Sequence, residues 1–127
     1  MAKNKVVIVD DDEDLLRLLI SLFKSEGFEV QGFKTGKEAL VYLLNETNIS
    51  TMCLLILDRI LPDMDGIEIL KLFRSKYHDP IPILILSVLS AEKDVMQGLQ
   101  QGAVDYMAKP FSIPILLQKA RKLISHE

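Results

Sequence analysis

The residues in this chain best suited to chemistry each follow a short apolar run. The runs and the polar residues after them lie in VVIVDDDED (6–14), LLILDRILPDMDG (54–66), ILILS (83–87) and DYMAKPF (105–111). Short, uninterrupted runs of Val, Ile and Leu are typical of strands buried on both faces of a parallel sheet. The polar residues at the carboxyl ends of these predicted strands are Asp10, Asp11, Asp58, Ser87 and Lys109.

These side chains are expected to meet at one edge of the sheet. Ligands of open α/β sheets bind in the crevice at the carboxyl ends of the strands. Carboxylates brought together there repel one another, so the cluster needs a cation. Mg²⁺ prefers oxygen ligands and binds through one or two carboxylates together with phosphoryl oxygens. The pattern therefore indicates a hard divalent metal beside a phosphoryl group.

Asp58 is the best candidate for a group that reacts. Asp65 is predicted to cap the following helix, which leaves Asp58 to face the crevice. An aspartate can accept a phosphoryl group as an acyl phosphate, and such a transfer depends on positioning and charge neutralisation. Taken singly, each polar residue has a plainer interpretation: a helix or strand cap for Asp10, Asp11, Asp58 and Ser87, and a solvated charge for Lys109.

Strand and helix patterns alternate five times along the chain and supply the scaffold for these residues. The predicted strands are 5–10, 28–33, 52–58, 81–87 and 104–108, and the predicted helices are 13–26, 37–46, one beginning at 65, 91–101 and 112–124. Thr35, Asp65 and Ser112 are predicted to cap helices, and Gly27 to end one. Helix 91–101 is the weakest, because Gly98 lies inside it and its apolar face is thin. Five β–α units predict an α/β three-layer fold with one doubly wound parallel sheet.

Composition limits the class of protein. The 127 residues are 49% hydrophobic, which predicts one globular domain over residues 1–127. A net charge of −3 gives no sign of a nucleic-acid-binding surface. No apolar run approaches the length of a membrane span, and no apolar leader follows the initial Met. The single cysteine, Cys53, is expected to be a reduced core thiol. These features predict a cytoplasmic protein without membrane contacts.

Together the motifs resemble the receiver domains of two-component response regulators. The matching residues are VDDD (9–12), LD-x-x-LP-x-MDG (57–66), the Ser at 87, and GA-x-DY-x-x-KPF (102–111). The resemblance covers essentially the whole chain. It implies the flavodoxin-like sheet with strand order 2-1-3-4-5 and five helices.

The resemblance also implies a role for each site residue. Asp58 is similar to the phospho-acceptor, Asp11 to a direct Mg²⁺ ligand, and Asp10 to a ligand that acts mainly through water. The backbone carbonyl of Ile60 is similar to the third Mg²⁺ ligand. Ser87 and Lys109 are similar to the hydroxyl and ammonium that bind the phosphoryl group, and Tyr106 is similar to the switch aromatic. The Lys109–Pro110 bond is similar to one that is cis in the family.

The implied function is a phosphorylation-dependent switch rather than an enzyme. A sensor histidine kinase or phosphotransfer protein is the expected donor. The face formed by segments 91–101, 104–108 and 112–124 is expected to contact an output domain or a downstream protein.

Departures from the family pattern bear on the lifetime of the phosphoryl group. Ser87 stands where Thr is commoner, and Val88 where the family usually has a small residue. In receiver domains the side chains two positions after the acceptor and two positions after the hydroxyl residue lie beside the path of the attacking water. In this chain the matching residues are Ile60 and Leu89, which are apolar and cannot orient a water. Arg59 is expected to point away from the crevice. Slow self-dephosphorylation is therefore predicted.

Three alternatives remain open from the sequence. One is a module of the same fold that has lost phosphorylation and acts only through protein contacts. A second is an FMN carrier, which the acidic loop 10–14 disfavours because it would repel a phosphate. The third is a Mg²⁺-dependent hydrolase of the haloacid-dehalogenase type, which needs a second Asp where this chain has Ile60.

Overall fold

Alternating strands and helices form the chain, as predicted. The computed structural model describes residues 3–78 and 80–125. The strands are β1 (Lys5–Val9), β2 (Glu29–Phe33), β3 (Met52–Leu57), β4 (Ile83–Ser87) and β5 (Asp105–Ala108). The helices are α1 (Glu13–Ser25), α2 (Gly36–Leu43), α3 (Glu46–Ile49), α4 (Gly66–Lys76), α5 (Glu92–Gln100) and α6 (Ile113–Ser125).

The five strands form one parallel sheet in the order β2-β1-β3-β4-β5. This order confirms the predicted flavodoxin-like topology, in which the strand order reverses beside β1. All residues of β3 and β4 are buried, as expected for strands covered by helices on both faces.

Two apolar layers hold the helices against the sheet. Because side chains alternate along a strand, Val7 and Val9 of β1 face one layer, which contains the buried residues of α2 and α4. Val6 and Ile8 face the other layer, which contains the buried residues of α1 and α6. Cys53 lies fully buried in this second layer. None of the described helices combines the length and hydrophobicity needed to cross a membrane.

Strand register brings the candidate site together. Val9, the last residue of β1, pairs with Leu57, the last residue of β3. The chain continues from these two residues into Asp10 and Asp58, so the two carboxylates leave the sheet side by side. At the other end of the site, Ser87 of β4 pairs with Ala108 of β5.

The helix predicted over 37–46 is shorter than expected. It ends at Leu43, and a separate turn, α3, follows it. The Oδ1 atom of Asn45 accepts hydrogen bonds from the amides of Thr47 (2.9 Å) and Asn48 (3.2 Å), which starts the new turn. The described residues therefore form six helices rather than the predicted five, because an Asn side chain competes for backbone amides and interrupts the first helix.

The predicted helix caps are confirmed. Thr35 accepts a hydrogen bond from the Glu38 amide at 3.3 Å, and Asp65 accepts one from the Ile67 amide at 2.9 Å. Ser112 accepts one from the Ile115 amide at 3.4 Å. Gly27 ends α1 with a φ of 94°, a conformation that glycine adopts without strain.

Candidate functional site

The candidate site begins with two buried carboxylates at the ends of neighbouring strands. Asp10 is 2% exposed and Asp58 is 5% exposed. Buried ionised carboxylates are unfavourable unless charges or hydrogen bonds compensate them. Partners for both groups are therefore required nearby.

Lys109 supplies the compensating charge. Its Nζ donates to Asp10 Oδ2 at 2.7 Å and to Asp58 Oδ2 at 2.8 Å. The backbone amide of Lys109 donates to the Ser87 carbonyl at 2.9 Å, which continues the pairing between β4 and β5. The peptide bond between Lys109 and Pro110 is cis, as the resemblance implied.

Backbone amides occupy the other oxygen of each carboxylate. Asp10 Oδ1 accepts from the Asp12 amide at 3.0 Å, and Asp58 Oδ1 accepts from the Ile60 amide at 3.0 Å. Each carboxylate is thus held by one ammonium and one amide, which fixes its orientation.

Asp11 completes an acidic cluster that suits a hard cation. Asp11 is exposed, and one oxygen each from Asp10, Asp11 and Asp58 lies within 4.8 Å of the others. A set of carboxylate oxygens, partly open to solvent, fits Mg²⁺, which keeps several waters. The single ammonium of Lys109 does not neutralise three carboxylates, so the cluster retains negative charge for a further cation.

Burial and charge shift the pKa values at this site. Burial raises the pKa of Asp10, although the hydrogen bonds from Lys109 and the Asp12 amide oppose the shift. Burial acts to lower the pKa of Lys109, but the hydrogen bonds and charges of Asp10 and Asp58 outweigh it, so the pKa is raised. Lys109 therefore stays cationic at neutral pH.

Ser87 and Tyr106 both hydrogen-bond the backbone of Leu89. Ser87 is fully buried, and its Oγ accepts from the Leu89 amide at 3.3 Å. The Tyr106 hydroxyl donates to the Leu89 carbonyl. Within the described ranges, no hydrogen bond joins the Ser87 hydroxyl to Asp58 or Lys109. The structure thus brings Asp10, Asp11, Asp58 and Lys109 together and places Ser87 with Tyr106.

Two residues near Asp58 have positions that the sequence does not signal. The Arg59 side chain is 5% exposed and packs against α5 rather than solvent. A Cβ on Gly66 would lie 2.2 Å from the Asp58 carbonyl oxygen, so only glycine fits there. An arginine next to a strand and a glycine beginning a helix are both common, and neither pattern predicts these contacts.

A third unpredicted contact joins the loop after β3 to α2. Asp63 Oδ1 accepts from the Gly36 amide at 2.8 Å, and its Oδ2 accepts from the Lys37 amide at 2.9 Å. Asp63 thereby binds the N-terminus of α2 alongside Thr35. The two partners are 26 and 27 residues away in sequence, so local pattern could not reveal them.

Comparison with known families decides the identity of this arrangement. The family model for the response regulator receiver domain matches residues 6–121. The chain belongs to this family. The receiver domain is 36% identical to the transcriptional regulatory protein CpxR of Escherichia coli strain K12 over 121 residues, which are 95% of this chain and 49% of CpxR.

Other relatives are also response regulators. The receiver domain is 36% identical over 108 residues to the regulatory protein VanRc of Enterococcus gallinarum, covering 85% of this chain and 44% of VanRc. It is 36% identical over 121 residues to the transcriptional regulatory protein SrrA of Staphylococcus aureus, covering 95% of this chain and 48% of SrrA. The chain spans about half the length of these relatives.

Solved receiver domains share the fold of this one. The Francisella response regulator 1452 receiver domain is 31% identical, with a TM-score of 0.84 over 97% of this chain and 98% of that one. The non-phosphorylated HemR receiver domain of Leptospira biflexa is 28% identical, with a TM-score of 0.87 over 97% of this chain and 95% of that one. The predicted family and fold are therefore confirmed.

Proposed function

We propose that this receiver domain accepts a phosphoryl group from a phosphohistidine donor on Asp58, with Mg²⁺, and thereby changes a partner-binding face. The observation that carries the proposal is the position of Asp58. Its carboxylate lies beside the acids Asp10 and Asp11 and hydrogen-bonds Lys109 Nζ at 2.8 Å. This combination offers a nucleophile, a cation site and a fixed positive charge in one crevice.

The proposed transfer is a substitution at phosphorus. An oxygen of the Asp58 carboxylate forms a bond to phosphorus as the bond from phosphorus to the donor's imidazole nitrogen breaks. The electron pair of the broken bond stays on the imidazole, and Asp58 becomes an acyl phosphate. The domain is itself modified in this step, so we describe it as a phosphorylation-dependent switch and not as an enzyme with turnover.

Particular residues are proposed for the metal and the transferred group. Asp10, Asp11, Asp58 and the Ile60 carbonyl would hold Mg²⁺, with Asp10 acting mainly through water. When bound, Mg²⁺ neutralises charge on phosphoryl oxygens. Lys109 already lies within hydrogen-bond distance of Asp58, so its ammonium can bind a phosphoryl group attached there.

Ser87 and Tyr106 are proposed to transmit the change. The Ser87 hydroxyl would turn from Leu89 towards the phosphoryl group, and Tyr106 would respond because it holds the other end of the same residue. The affected face consists of α5, β5 and α6. Exposed apolar side chains on α5, directly before β5 and on α6 support a role in binding an output domain or a downstream protein: Met96, Leu99, Val104 and Ile115.

The proposed partners follow from family and charge. A sensor histidine kinase or phosphotransfer protein would donate the phosphoryl group, and both would meet this domain in the cytoplasm. The net charge of −3 does not favour direct contact between this domain and nucleic acid.

Intact mass spectrometry tests the proposal. The purified chain is incubated with Mg²⁺ and acetyl phosphate, or with a phosphorylated histidine kinase, and its mass is compared with that of Asp58→Asn. We expect one phosphoryl group on the unmodified sequence, lost in alkali or hydroxylamine as an acyl phosphate is, and none on the variant.

Asp14→Asn is the matched control, because Asp14 is an exposed carboxylate on α1 that pairs with Arg17 and is not part of the acidic cluster. It should be phosphorylated as the unmodified chain is. Stoichiometric labelling of Asp58→Asn would refute the assignment of the acceptor. No labelling of the unmodified chain would instead favour a module of the same fold that works only through protein contacts.

A further inference from the structure

Arg59 directly follows the candidate acceptor, yet its side chain is buried against a different helix. Its Nη1 donates to the Asp94 carbonyl at 3.2 Å and its Nη2 to Gln97 Oε1 at 2.8 Å, both in α5. The guanidinium also lies 3.6 Å from Asp65 Oδ2 and 3.8 Å from Asp94 Oδ1. One side chain therefore joins the loop after β3 to α5.

The backbone of Arg59 packs closely against the start of α4. The Gly66 amide donates to the Arg59 carbonyl at 2.8 Å. A Cβ on Gly66 would lie 2.9 Å from Arg59 Cα and 2.2 Å from the Asp58 carbonyl oxygen, so the first residue of α4 packs directly against the backbone of both residues. Since adjacent Cα atoms are about 3.8 Å apart, a shift of Arg59 is also a shift of Asp58.

Arg59 also reaches Tyr106. Burial raises the pKa of the Tyr106 hydroxyl, and the neighbouring Arg59 guanidinium partly offsets that effect. The Tyr106 ring packs on α5 at Gly98, where an added Cβ would lie 2.9 Å from Tyr106 Cδ2. The guanidinium, the tyrosine and α5 thus form one packed unit.

We propose that Arg59 is a positioning residue for phosphorylation: it anchors the loop that carries Asp58 and Ile60 to α5, and so couples the site to α5 and Tyr106. This inference rests on the proposed function of Asp58. With the anchor in place the loop is ordered before the phosphoryl group arrives. Without the anchor, the loop becomes ordered only when the phosphoryl group or its analogue binds, and the affinity of the site for that group falls. Because coupling between two sites is reciprocal, occupation of the phosphorylation site should stabilise α5 less in a protein without the anchor than in the unmodified chain.

Two variants break the same contact from opposite ends. Arg59→Met keeps much of the length and apolar volume of the side chain but removes the guanidinium. Gln97→Ala removes the acceptor from an exposed position on α5, so it is expected to fold. Arg17→Met is the control, because Arg17 is 75% exposed and pairs with Asp14 on α1.

The measurement is the affinity for beryllofluoride, a stand-in for the phosphoryl group, in Mg²⁺. We expect Arg59→Met and Gln97→Ala to bind beryllofluoride about five-fold more weakly or worse. We expect Arg17→Met to match the unmodified chain. Arg59→Lys keeps the charge but not the planar fork, so its affinity should be intermediate.

Hydrogen exchange of α5 separates positioning from a purely structural role. Beryllofluoride should slow exchange of α5 amides in the unmodified chain and slow it less in Arg59→Met and Gln97→Ala. A purely structural role would lower the thermal midpoint but leave the affinity and the α5 response of the folded protein unchanged, and that result would overturn the proposal. Tighter binding in either variant would overturn it as well.

Further outcomes keep the two proposals apart. If Arg59→Met does not fold, Gln97→Ala and Arg59→Lys decide the matter. If the unmodified chain fails to bind beryllofluoride, the proposed function itself is refuted. If the unmodified chain binds it and the variants bind equally well, only the role of Arg59 is refuted.

Discussion

The hydroxyls of Ser87 and Tyr106 bind the backbone of one residue, Leu89, from its two sides. Ser87 Oγ accepts from the Leu89 amide at 3.3 Å, and the Tyr106 hydroxyl donates to the Leu89 carbonyl. In the proposed switch, a phosphoryl group on Asp58 would draw the Ser87 hydroxyl away and would leave the Leu89 amide without this acceptor. Ser87 would then no longer fix the loop between β4 and α5, and Tyr106 would be affected through Leu89.

Phosphorylation should therefore change backbone protection mainly between residues 87 and 111. The apolar face of α5 is thin, and its N-cap residue, Ala91, provides no side-chain hydrogen bond, so this helix is suited to move. Hydrogen exchange with and without beryllofluoride measures the change. Differences confined to α1 and α2 would contradict the prediction.

Mg²⁺ should bind weakly and depend most on Asp11. The cluster is open to solvent at Asp11 and keeps room for waters, which is typical of weak magnesium sites. Asp11→Ala should abolish binding, whereas Asp10→Ala should weaken it, because Asp10 is expected to act mainly through water. A titration that follows amide shifts in the loops after β1 and β3 measures both affinities. Unchanged affinity in Asp11→Ala would refute the site.

The phosphorylated domain should lose its phosphoryl group slowly. Hydrolysis requires a water held in line by polar groups. Ile60 and Leu89 line one cavity of about 360 Å³ beside the loop after β3, and neither can hydrogen-bond a water through its side chain. The double variant Ile60→Asn with Leu89→Glu should release phosphate faster than the unmodified chain.

The decay of purified phosphoprotein in Mg²⁺ tests this lifetime. Val88 is 59% exposed and supplies the matched control, because Val88→Ala removes bulk without adding a polar group. It should accelerate decay less than the double variant does. A lifetime of seconds for the unmodified chain, or no acceleration in the double variant, would show that these positions do not control the water.

Gly66→Ala should damage both stability and phosphorylation. The added Cβ would meet the Asp58 carbonyl oxygen at 2.2 Å and Arg59 Cα at 2.9 Å, and neither backbone atom can move without moving the acceptor. Overpacking of this kind costs about 1–3 kcal/mol. Gly36→Ala is a useful comparison, because its closest neighbour is the flexible Met64 side chain.

Urea unfolding and the initial rate of labelling by acetyl phosphate measure the two glycine variants. Gly66→Ala should be labelled more slowly even where it is fully folded. Equal labelling rates for Gly66→Ala and Gly36→Ala would argue against a fixed acceptor backbone.

The bond between Asp63 and α2 should make stability depend on pH. Two backbone hydrogen bonds, from Gly36 and Lys37, lower the pKa of Asp63 below its ordinary value of 3.8. Because the folded-state pKa is depressed, the stabilisation is complete above the unfolded-state pKa and is lost as pH falls through the folded-state value. Asp63→Asn should therefore have a lower thermal midpoint than the unmodified chain at pH 7.

The difference between the two midpoints should shrink as the pH is lowered below 3.8. Thermal unfolding followed by circular dichroism from neutral to acidic pH measures it. A difference that is constant over this range would mean that the charge of Asp63 does not stabilise α2.

The strand ends were predictable, because apolar runs mark buried strands and the polar residues after them must emerge at one edge. That reasoning predicts that Asp10, Asp11, Asp58, Ser87 and Lys109 meet at this edge. In the structure Lys109 hydrogen-bonds Asp10 and Asp58, and one oxygen each from Asp10, Asp11 and Asp58 lies within 4.8 Å of the others. The Ser87 hydroxyl instead binds the Leu89 amide. The family resemblance added the strand order, which periodicity alone does not determine.

The remaining contacts depend on residues that are distant in sequence. Arg59 binds Asp94 and Gln97, which lie 35 and 38 residues further along the chain. No local pattern encodes such a pairing, and an arginine after a strand is usually exposed. The end of the helix predicted over 37–46 was wrong for a different, local reason: α2 ends at Leu43, and the Asn45 side chain accepts from the amides of Thr47 and Asn48, which starts a separate turn.

Every strand of the sheet pairs in parallel, so each strand-to-strand contact closes over at least one helix, and the contact between β1 and β3 closes over three helices and β2. Chains dominated by distant pairings fold more slowly than helical bundles, because loop entropy is lost before contacts form. The acids of the site come from β1 and β3 in the middle of the sheet, whereas Lys109 arrives with β5 at the edge. A folding intermediate without β5 would hold the acids and lack their ammonium. If Asp58 accepts the phosphoryl group with the help of Lys109, as we propose, labelling of Asp58 would distinguish chains in which β5 is in place from chains in which it is not.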